Sequence, residues 1–394
     1  MLPRRAAFVL AAASLMAVYL ASGAPSPLFV VYQHEWGFPD LFITIAFGSY
    51  AVTLLASLLV FGSLSDHLGR RPVIALALAL GIVALVIFIL ADGIGWIIVG
   101  RSLQGITTGM VTTAYTALLV ELGPDGSRAG PVVAAVTPPL GLGLGALLAG
   151  GVIQISEAHA NTALFLGFIV VALASIVLVA LTPETGGRRP GAVRALLPRI
   201  VVPPAARGFF LRILPVVLAA WMCGAIFLGL SAPIVEELLD VHSGLLNGVT
   251  AFIHGAGVAL GGTLFGRLPV RRALITGCVG VAVGMTIVAA GVATAVLPLV
   301  WLGGATEAIA FGAAFGACFR GMAPLVSDAN RAGAFAAIYV LAYVALGVPG
   351  MLVGLLIAPL GLLPAILLWT AVIIATAVVG IVVQVRRPVD TLAA

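Results

Sequence analysis

The sequence contains no lysine, so all 19 of its basic residues are arginine. Charge of either sign is scarce: charged residues make up 8% of 394 positions, against a hydrophobic share of 62%. A chain so poor in polar side chains cannot cover a water-soluble globule of this size, which excludes a soluble domain. Cysteine is also scarce. Cys223, Cys278 and Cys318 all fall inside apolar runs, so no disulfide framework is expected, and no Cys/His spacing of a metal site occurs. No phosphate loop of the Gly-Lys-Thr type and no nucleophile–base pair appear, so the chain reads as a non-enzyme that needs no cofactor. A net charge of +5 would suggest a nucleic-acid partner for a soluble protein. Beside apolar runs, arginines instead set orientation and touch membrane lipid, so no nucleic acid is expected.

What the chain does have is long apolar sequence. Runs at 6–32, 41–62, 72–91, 96–121, 131–153, 163–182, 211–233, 247–266, 273–295, 299–319, 333–356 and 364–385 each approach the ~20 residues a helix needs to cross a bilayer. A barrel would show short alternating segments, so the expected fold is an all-α integral membrane protein with twelve transmembrane helices. The first run follows Arg4 and Arg5 and continues to Tyr32, beyond the ~7–15-residue core of a signal peptide, and reads as the first span. With the N-terminus inside, every arginine except Arg101 falls in or beside a cytoplasmic segment. Glu35, Asp40, Asp92, Glu157, Glu236, Glu237 and Asp240 fall in outer loops, which puts both termini in the cytoplasm.

The long connection from Pro183 to Arg212 divides the chain into an N-terminal six-helix bundle (1–187), a cytoplasmic linker (188–210) and a C-terminal six-helix bundle (211–394). The linker is too short and too rich in Pro and Arg to bury a core, so a monomer without a soluble domain is expected. The halves echo each other. Gly62 with Arg70-Arg71 is matched by Gly266 with Arg271-Arg272, and Trp96 before Arg101 by Trp301 before Glu307. Repeats of this kind place a small-molecule substrate near the midplane, between halves that rock about it.

The densest charge in the first half lies in Gly62-Ser63-Leu64-Ser65-Asp66-His67-Leu68-Gly69-Arg70-Arg71-Pro72, where Asp66 stands one helical turn from Arg70. This segment resembles the loop between helices 2 and 3 of the major facilitator superfamily, with its Gly-x-Leu-x-Asp-x-x-Gly-Arg-Arg pattern. Thr182-Pro183-Glu184-Thr185 resembles the end of helix 6 in that superfamily, and Arg101-Ser102-Leu103-Gln104-Gly105 its Arg-x-x-Gln-Gly motif, associated with proton coupling. Gly141-Leu142-Gly143-Leu144-Gly145-Ala146 resembles the antiporter signature of drug exporters, with Ala146 where that signature has proline. The resemblance implies a bacterial inner-membrane transporter of the 12-helix drug:proton antiporter type, working by alternating access, with protons as the second partner. It also implies a conformational lock of Gly62, Asp66, Gly69, Arg70, Arg71 and Glu121.

Small residues at four-residue spacing mark close helix contacts: Gly141 and Gly145 in the fifth run, Gly257 and Gly261 in the eighth. On the resemblance these two helices face each other across the halves, where smooth faces would suit sliding; static packing is the alternative. Three ionisable groups lie deep in apolar runs, where each charge costs at least ~2.5 kcal/mol. They are Arg101, Glu307 and His254, and they are the proton-coupling candidates, Glu307 being the one deeply embedded carboxyl and Arg101 the candidate cation for it. Tyr19, Gln104, Thr108, Tyr115, Asn247, Tyr339 and Tyr343 are candidate groups of a substrate cavity. Pro25 and Pro27 should bend the first helix, with the hydroxyls of Ser22 and Ser26 helping to satisfy the backbone they disturb. The function expected is proton-coupled export of small hydrophobic compounds. Proton symport or facilitated uptake of a small metabolite is the alternative within transport, and a transport-dead receptor or scaffold the alternative outside it.

Overall fold

A computed structural model describes residues 2–187, 190–198 and 200–386. Arg188, Arg189, Arg199 and Arg387, four of the arginines read as cytoplasmic, lie outside the described residues. The chain divides into two compact units, Met1–Pro198 and Arg199–Ala394. In chain order the long helices are α1 (Arg4–Trp36), α2 (Asp40–Phe61), α3 (Arg70–Leu90), α4 (Ile94–Leu122), α5 (Ala129–Ile155), α6 (Glu157–Leu181), α7 (Pro204–Gly229), α8 (Gly244–Leu264), α9 (Val270–Ala293), α10 (Leu297–Leu325), α11 (Asn330–Leu360) and α12 (Leu362–Arg386). Each unit holds six of them. Among the described residues, eleven are long and apolar enough to cross a membrane; α4 is the one that falls short. Its polar residues explain why. Arg101, Gln104, Thr107 and Thr108 are all buried against neighbouring helices, so their polarity never meets lipid.

In the first unit α4 packs on α2 and α3, and α1 packs on α5. The α1–α5 contact is a reciprocal glycine fit: a Cβ on Gly145 would run into the carbonyl oxygen of Leu20, and one on Gly23 into that of Leu142. In the second unit α10 packs on both α8 and α9. There a Cβ on Gly261 would run into the Ile309 carbonyl, and one on Gly312 into that of Val258. Backbones this close gain dispersion and leave no room for lipid between them. The contacts of the glycines marked from the sequence are those of close static packing. Gly141 and Gly145 are covered by Met16, Tyr19 and Leu20 of α1, and Gly257 and Gly261 by Ala308 and Ile309 of α10, each within its own unit.

Two helices depart from regular α geometry. α1 is two helices end to end, Arg4–Gly23 and Pro25–Trp36. α7 ends in a π-helical turn, Ala225–Gly229, followed by Ser231–Pro233 and a second π turn, Ile234–Leu238. Widened turns of this kind re-aim side chains and concentrate at functional positions. Arg70 and Arg71, read as loop residues, are the first residues of α3.

Candidate functional site

Three polar constellations are built inside the units. The first holds the broken helix α1. A proline at position 25 has no N–H for the carbonyl four residues back, so the Ala21 oxygen loses its helical partner. The Gln104 side-chain nitrogen of α4 donates to that oxygen at 2.8 Å. Arg101, one turn before Gln104, donates through Nη1 to the Ser22 carbonyl at 2.9 Å and to Gln104 Oε1 at 2.5 Å. Its guanidinium carbon stands 4.2 Å from the centre of the Tyr50 ring. Arg101 is 3% exposed, so the ring face and two acceptors, rather than a carboxylate, take the place of its hydration shell. The hydroxyl of Ser22, expected to help at the break, donates instead to the Val18 carbonyl at 2.9 Å.

The same geometry gives several of the expected cavity residues partners inside the first unit. Thr108 and Tyr115 are fully buried, Thr108 donating to the Gln104 carbonyl and Tyr115 sharing a hydrogen with Ser14 at 2.5 Å. Tyr19 pairs with Thr112 at 2.7 Å. Beside them lies a cavity of about 40 Å³ lined by Ser14, Ser22, Gln104 and Thr107 among others. That volume suits a single water. These hydroxyls are used to bind α1 to α4.

The second constellation is the charge cluster at the start of α3. Arg70 Nη1 pairs with Asp66 Oδ1 at 2.5 Å and Nη2 with Glu121 Oε1 at 2.9 Å. Glu184, not assigned to the cluster from sequence, accepts from the backbone N–H groups of Arg70 at 2.8 Å and Arg71 at 3.1 Å. It thus caps the first turn of α3, where unpaired amides and the helix dipole favour an anion. Thr185 donates to Glu121 Oε2, and the Arg71 guanidinium to the Ala180 carbonyl. Gly69 has φ +98°, and a Cβ there would stand 2.8 Å from Glu184 Oε2, so a side chain would be both strained and in the way of the cap. Gly62 has an ordinary φ of −56°, and it is closeness that restricts it, since a Cβ there would run into the Leu58 carbonyl oxygen.

The third constellation is in the second unit. His254 of α8 and Glu307 of α10 meet with Nδ1 and Oε1 2.6 Å apart, at 3% and 0% exposure. The imidazole stacks on Phe227, ring centres 5.3 Å apart and planes 5° from parallel, and Phe311 stands 5.9 Å away on another side. Phe227 belongs to the π-helical turn of α7, which brings its ring over the histidine. The Cys223 thiol, one turn earlier, adjoins the Glu307 carboxylate. The second oxygen of Glu307, Oε2, has no hydrogen-bond partner. Of the two deep charges expected to pair, Glu307 thus has a histidine partner from its own unit, while Arg101 is held by α1 and Tyr50. Asn247, also on α8, is buried with Oδ1 unpaired. Tyr339 and Tyr343 are half-buried on α11. Among the described residues no group of His, Cys, Asp and Glu is arranged to hold a metal ion.

A family model described as Major Facilitator Superfamily matches residues 11–268. The chain belongs to the major facilitator superfamily. It is accordingly a multi-pass membrane transporter and not an enzyme. A segment of 92 residues is 40% identical to the inner membrane transport protein YajR of Escherichia coli (strain K12), a match over 23% of this chain and 20% of that protein. The chain therefore aligns with about a fifth of this relative's length. A solved structure of a POT family transporter in complex with 5-aminolevulinic acid superposes with a TM-score of 0.76 at 13% identity, covering 97% of this chain and 96% of that one. A bacterial homologue of the human lysosomal transporter Spinster, inward-facing and unoccupied, gives 0.71 at 12% identity, covering 97% of both chains. The human organic anion transporter MFSD10 gives 0.62 at 17% identity, covering 96% of this chain and all of that one. At these identities the likeness is one of fold.

Proposed function

We propose that this transporter couples substrate movement to protons through the His254–Glu307 pair, exporting small hydrophobic compounds by alternating access from the bacterial inner membrane, with both termini in the cytoplasm. The observation that carries the reading is a hydrogen-bonded pair at 2.6 Å, buried on both sides and flanked by the rings of Phe227 and Phe311. A proton shared between Nδ1 and Oε1 can be gained or lost without rebuilding the site, and each such event changes the pair's charge by one. A charge change at 0% exposure is costly. It is therefore tolerated only when the surroundings open or a substrate arrives, and that linkage is what coupling requires. The apolar surroundings and the absence of a buried acid in the described part of the first unit favour uncharged cargo. The direction of transport rests on the likeness of Gly141–Ala146 to the exporter signature.

Purified protein in liposomes carrying an internal pH dye tests this. Wild type should move protons against the flow of substrate. Glu307→Gln, which keeps an oxygen toward His254 and removes the ionisable carboxyl, should abolish gradient-driven accumulation while exchange of substrate across the membrane persists. Accumulation at the normal rate by Glu307→Gln would overturn the proposal. Proton flow in the same direction as substrate would establish symport instead.

A further inference from the structure

From Glu307 an aromatic strip runs down the second unit. Phe311, Phe315 and Phe319 follow Glu307 at four-residue spacing on one face of α10, and Tyr339 and Tyr343 share a face of α11 in the same way. Trp221 of α7 closes the third side. Its ring centre lies 5.6 Å from Phe311, 5.1 Å from Phe315 and 5.0 Å from Tyr343. Phe319 stands 5.0 Å from Phe315 and 5.2 Å from Tyr339, so six rings from three helices form one connected surface ending at the His254–Glu307 pair through Phe311.

Three observations separate this strip from ordinary packing. Phe311 is buried, yet Trp221, Phe315, Phe319, Tyr339 and Tyr343 are each only half-buried. Among the described residues, the large apolar side chains that are exposed are valine, leucine and isoleucine, with Trp96 and Phe265 the aromatic exceptions. Half-buried rings also occur elsewhere, at Phe8, Trp36, Phe42 and Trp301 among others, but among the described residues this is the one place where more than two rings form a connected set, the others being isolated pairs. Trp221 Nε1 is buried with no hydrogen-bond partner, a donor whose desolvation is uncompensated in the structure. Between Glu307 and Arg320 the α10 helix carries no charged side chain.

We infer that the strip is the substrate surface, and that its ligand class is uncharged planar aromatic compounds carrying one hydrogen-bond acceptor, a carbonyl or ring nitrogen, directed at Trp221 Nε1. Flat rings match the offset and edge-to-face arrangements these side chains already adopt among themselves. The acceptor relieves the unpartnered indole, and between the Glu307 carboxylate at one end and Arg320 at the other the α10 face of the strip offers no charged side chain to a ligand. This deepens the proposed export of hydrophobic compounds by naming the kind it accepts. It stands apart from proton coupling, because equilibrium binding needs no gradient.

Acridone, planar, neutral and fluorescent with one carbonyl, is the probe. Its binding to the full-length protein in detergent is read by fluorescence, with dicyclohexyl ketone as an aliphatic competitor and anthracene as a ring system without an acceptor. Acridone should bind saturably, and dicyclohexyl ketone should displace it at least about tenfold less well than unlabelled planar ketones. Phe315→Leu should weaken acridone about tenfold, the scale of losing one aromatic contact and its burial. Trp221→Phe, which keeps a ring and removes the N–H, should weaken acridone several-fold and leave anthracene unchanged. Melting temperatures check that both variants remain folded, and Trp221→Phe, as the milder change, decides the matter if Phe315→Leu does not fold. Absence of saturable binding to wild type, equal displacement by dicyclohexyl ketone, or equal effects of Trp221→Phe on acridone and anthracene would each overturn the inference. Gradient-driven accumulation at the normal rate by Glu307→Gln, with saturable acridone binding to wild type, would overturn only the mechanism proposed above.

Discussion

Gln104 is predicted to stabilise this protein because of a proline on another helix. Pro25 removes the N–H that the Ala21 carbonyl would accept from, and Gln104 Nε2 supplies a substitute at 2.8 Å. Gln104→Met keeps the length and removes the donor. The Ala21 oxygen is then buried without a partner, a loss of about 1–3 kcal/mol. Arg101 loses one of its two acceptors but keeps the Ser22 carbonyl at 2.9 Å. For a cooperative unit of this size that corresponds to a melting temperature lower by about 2–12 °C. Pro25→Ala returns the backbone N–H to position 25. In that background the Ala21 carbonyl has a helical donor again, so Gln104→Met should cost less by about 1 kcal/mol or more. Thermal unfolding of the four proteins of this cycle in one detergent measures the difference directly. Independent sites add within about 0.5 kcal/mol. If Gln104→Met costs the same in both backgrounds within that margin, the proline and the glutamine do not act on the same carbonyl and the reasoning fails.

Two further predictions concern packing and the lock. Gly261→Ala drives a Cβ into the Ile309 carbonyl and should destabilise by roughly 1–3 kcal/mol, whereas Gly167→Ala, with nothing within 4 Å of the new Cβ, should stabilise by up to about 1 kcal/mol from helix propensity; opposite signs in thermal melts are the check. Glu184→Ala uncaps α3 and should cost about 0.5–2 kcal/mol with faster hydrogen exchange at the amides of residues 70 and 71, while Glu184→Gln, which keeps one acceptor, should lose less; unchanged exchange in Glu184→Ala would refute the capping role.

The sequence was most informative where the physics is local. Apolar runs of bilayer length showed the class, and the four-residue interval from Asp66 to Arg70 anticipated a pair now seen at 2.5 Å. Glycine spacing marked the faces that touch, but not what they touch. In a helix apolar on all sides, periodicity does not say which side faces inward, so the rotational phase of each helix stays open. The bond from Glu184 to Arg70 joins residues 114 apart in sequence, and that from His254 to Glu307 residues 53 apart. Such contacts depend on those phases. One signal was available and not used: a proline in a helix leaves a known carbonyl unpaired, four residues back, and Ala21 needed a donor. Hydroxyls on the same helix were expected to provide it. A hydroxyl one turn away reaches its own helix more easily, as Ser22 does with Val18, so the donor came from α4.

The two units solve the burial of a charge differently, and the difference bears on which buried group is able to exchange a proton. Arg101 is surrounded by neutral groups, two acceptors and a ring face, and an arginine keeps its proton at any physiological pH. It can hold α1 in place but cannot exchange a proton. Glu307 is matched with a histidine, and each partner is a group that can gain or lose a proton. If this asymmetry is functional, His254→Gln and Glu307→Gln should both uncouple transport from the proton gradient while leaving the melting temperature within a few degrees of wild type. Arg101→Gln should instead lower it, because it withdraws a donor from the Ser22 carbonyl at the break in α1. Uncoupled but stable Arg101→Gln, together with fully coupled His254→Gln, would reverse the assignment and move the proton to the first unit.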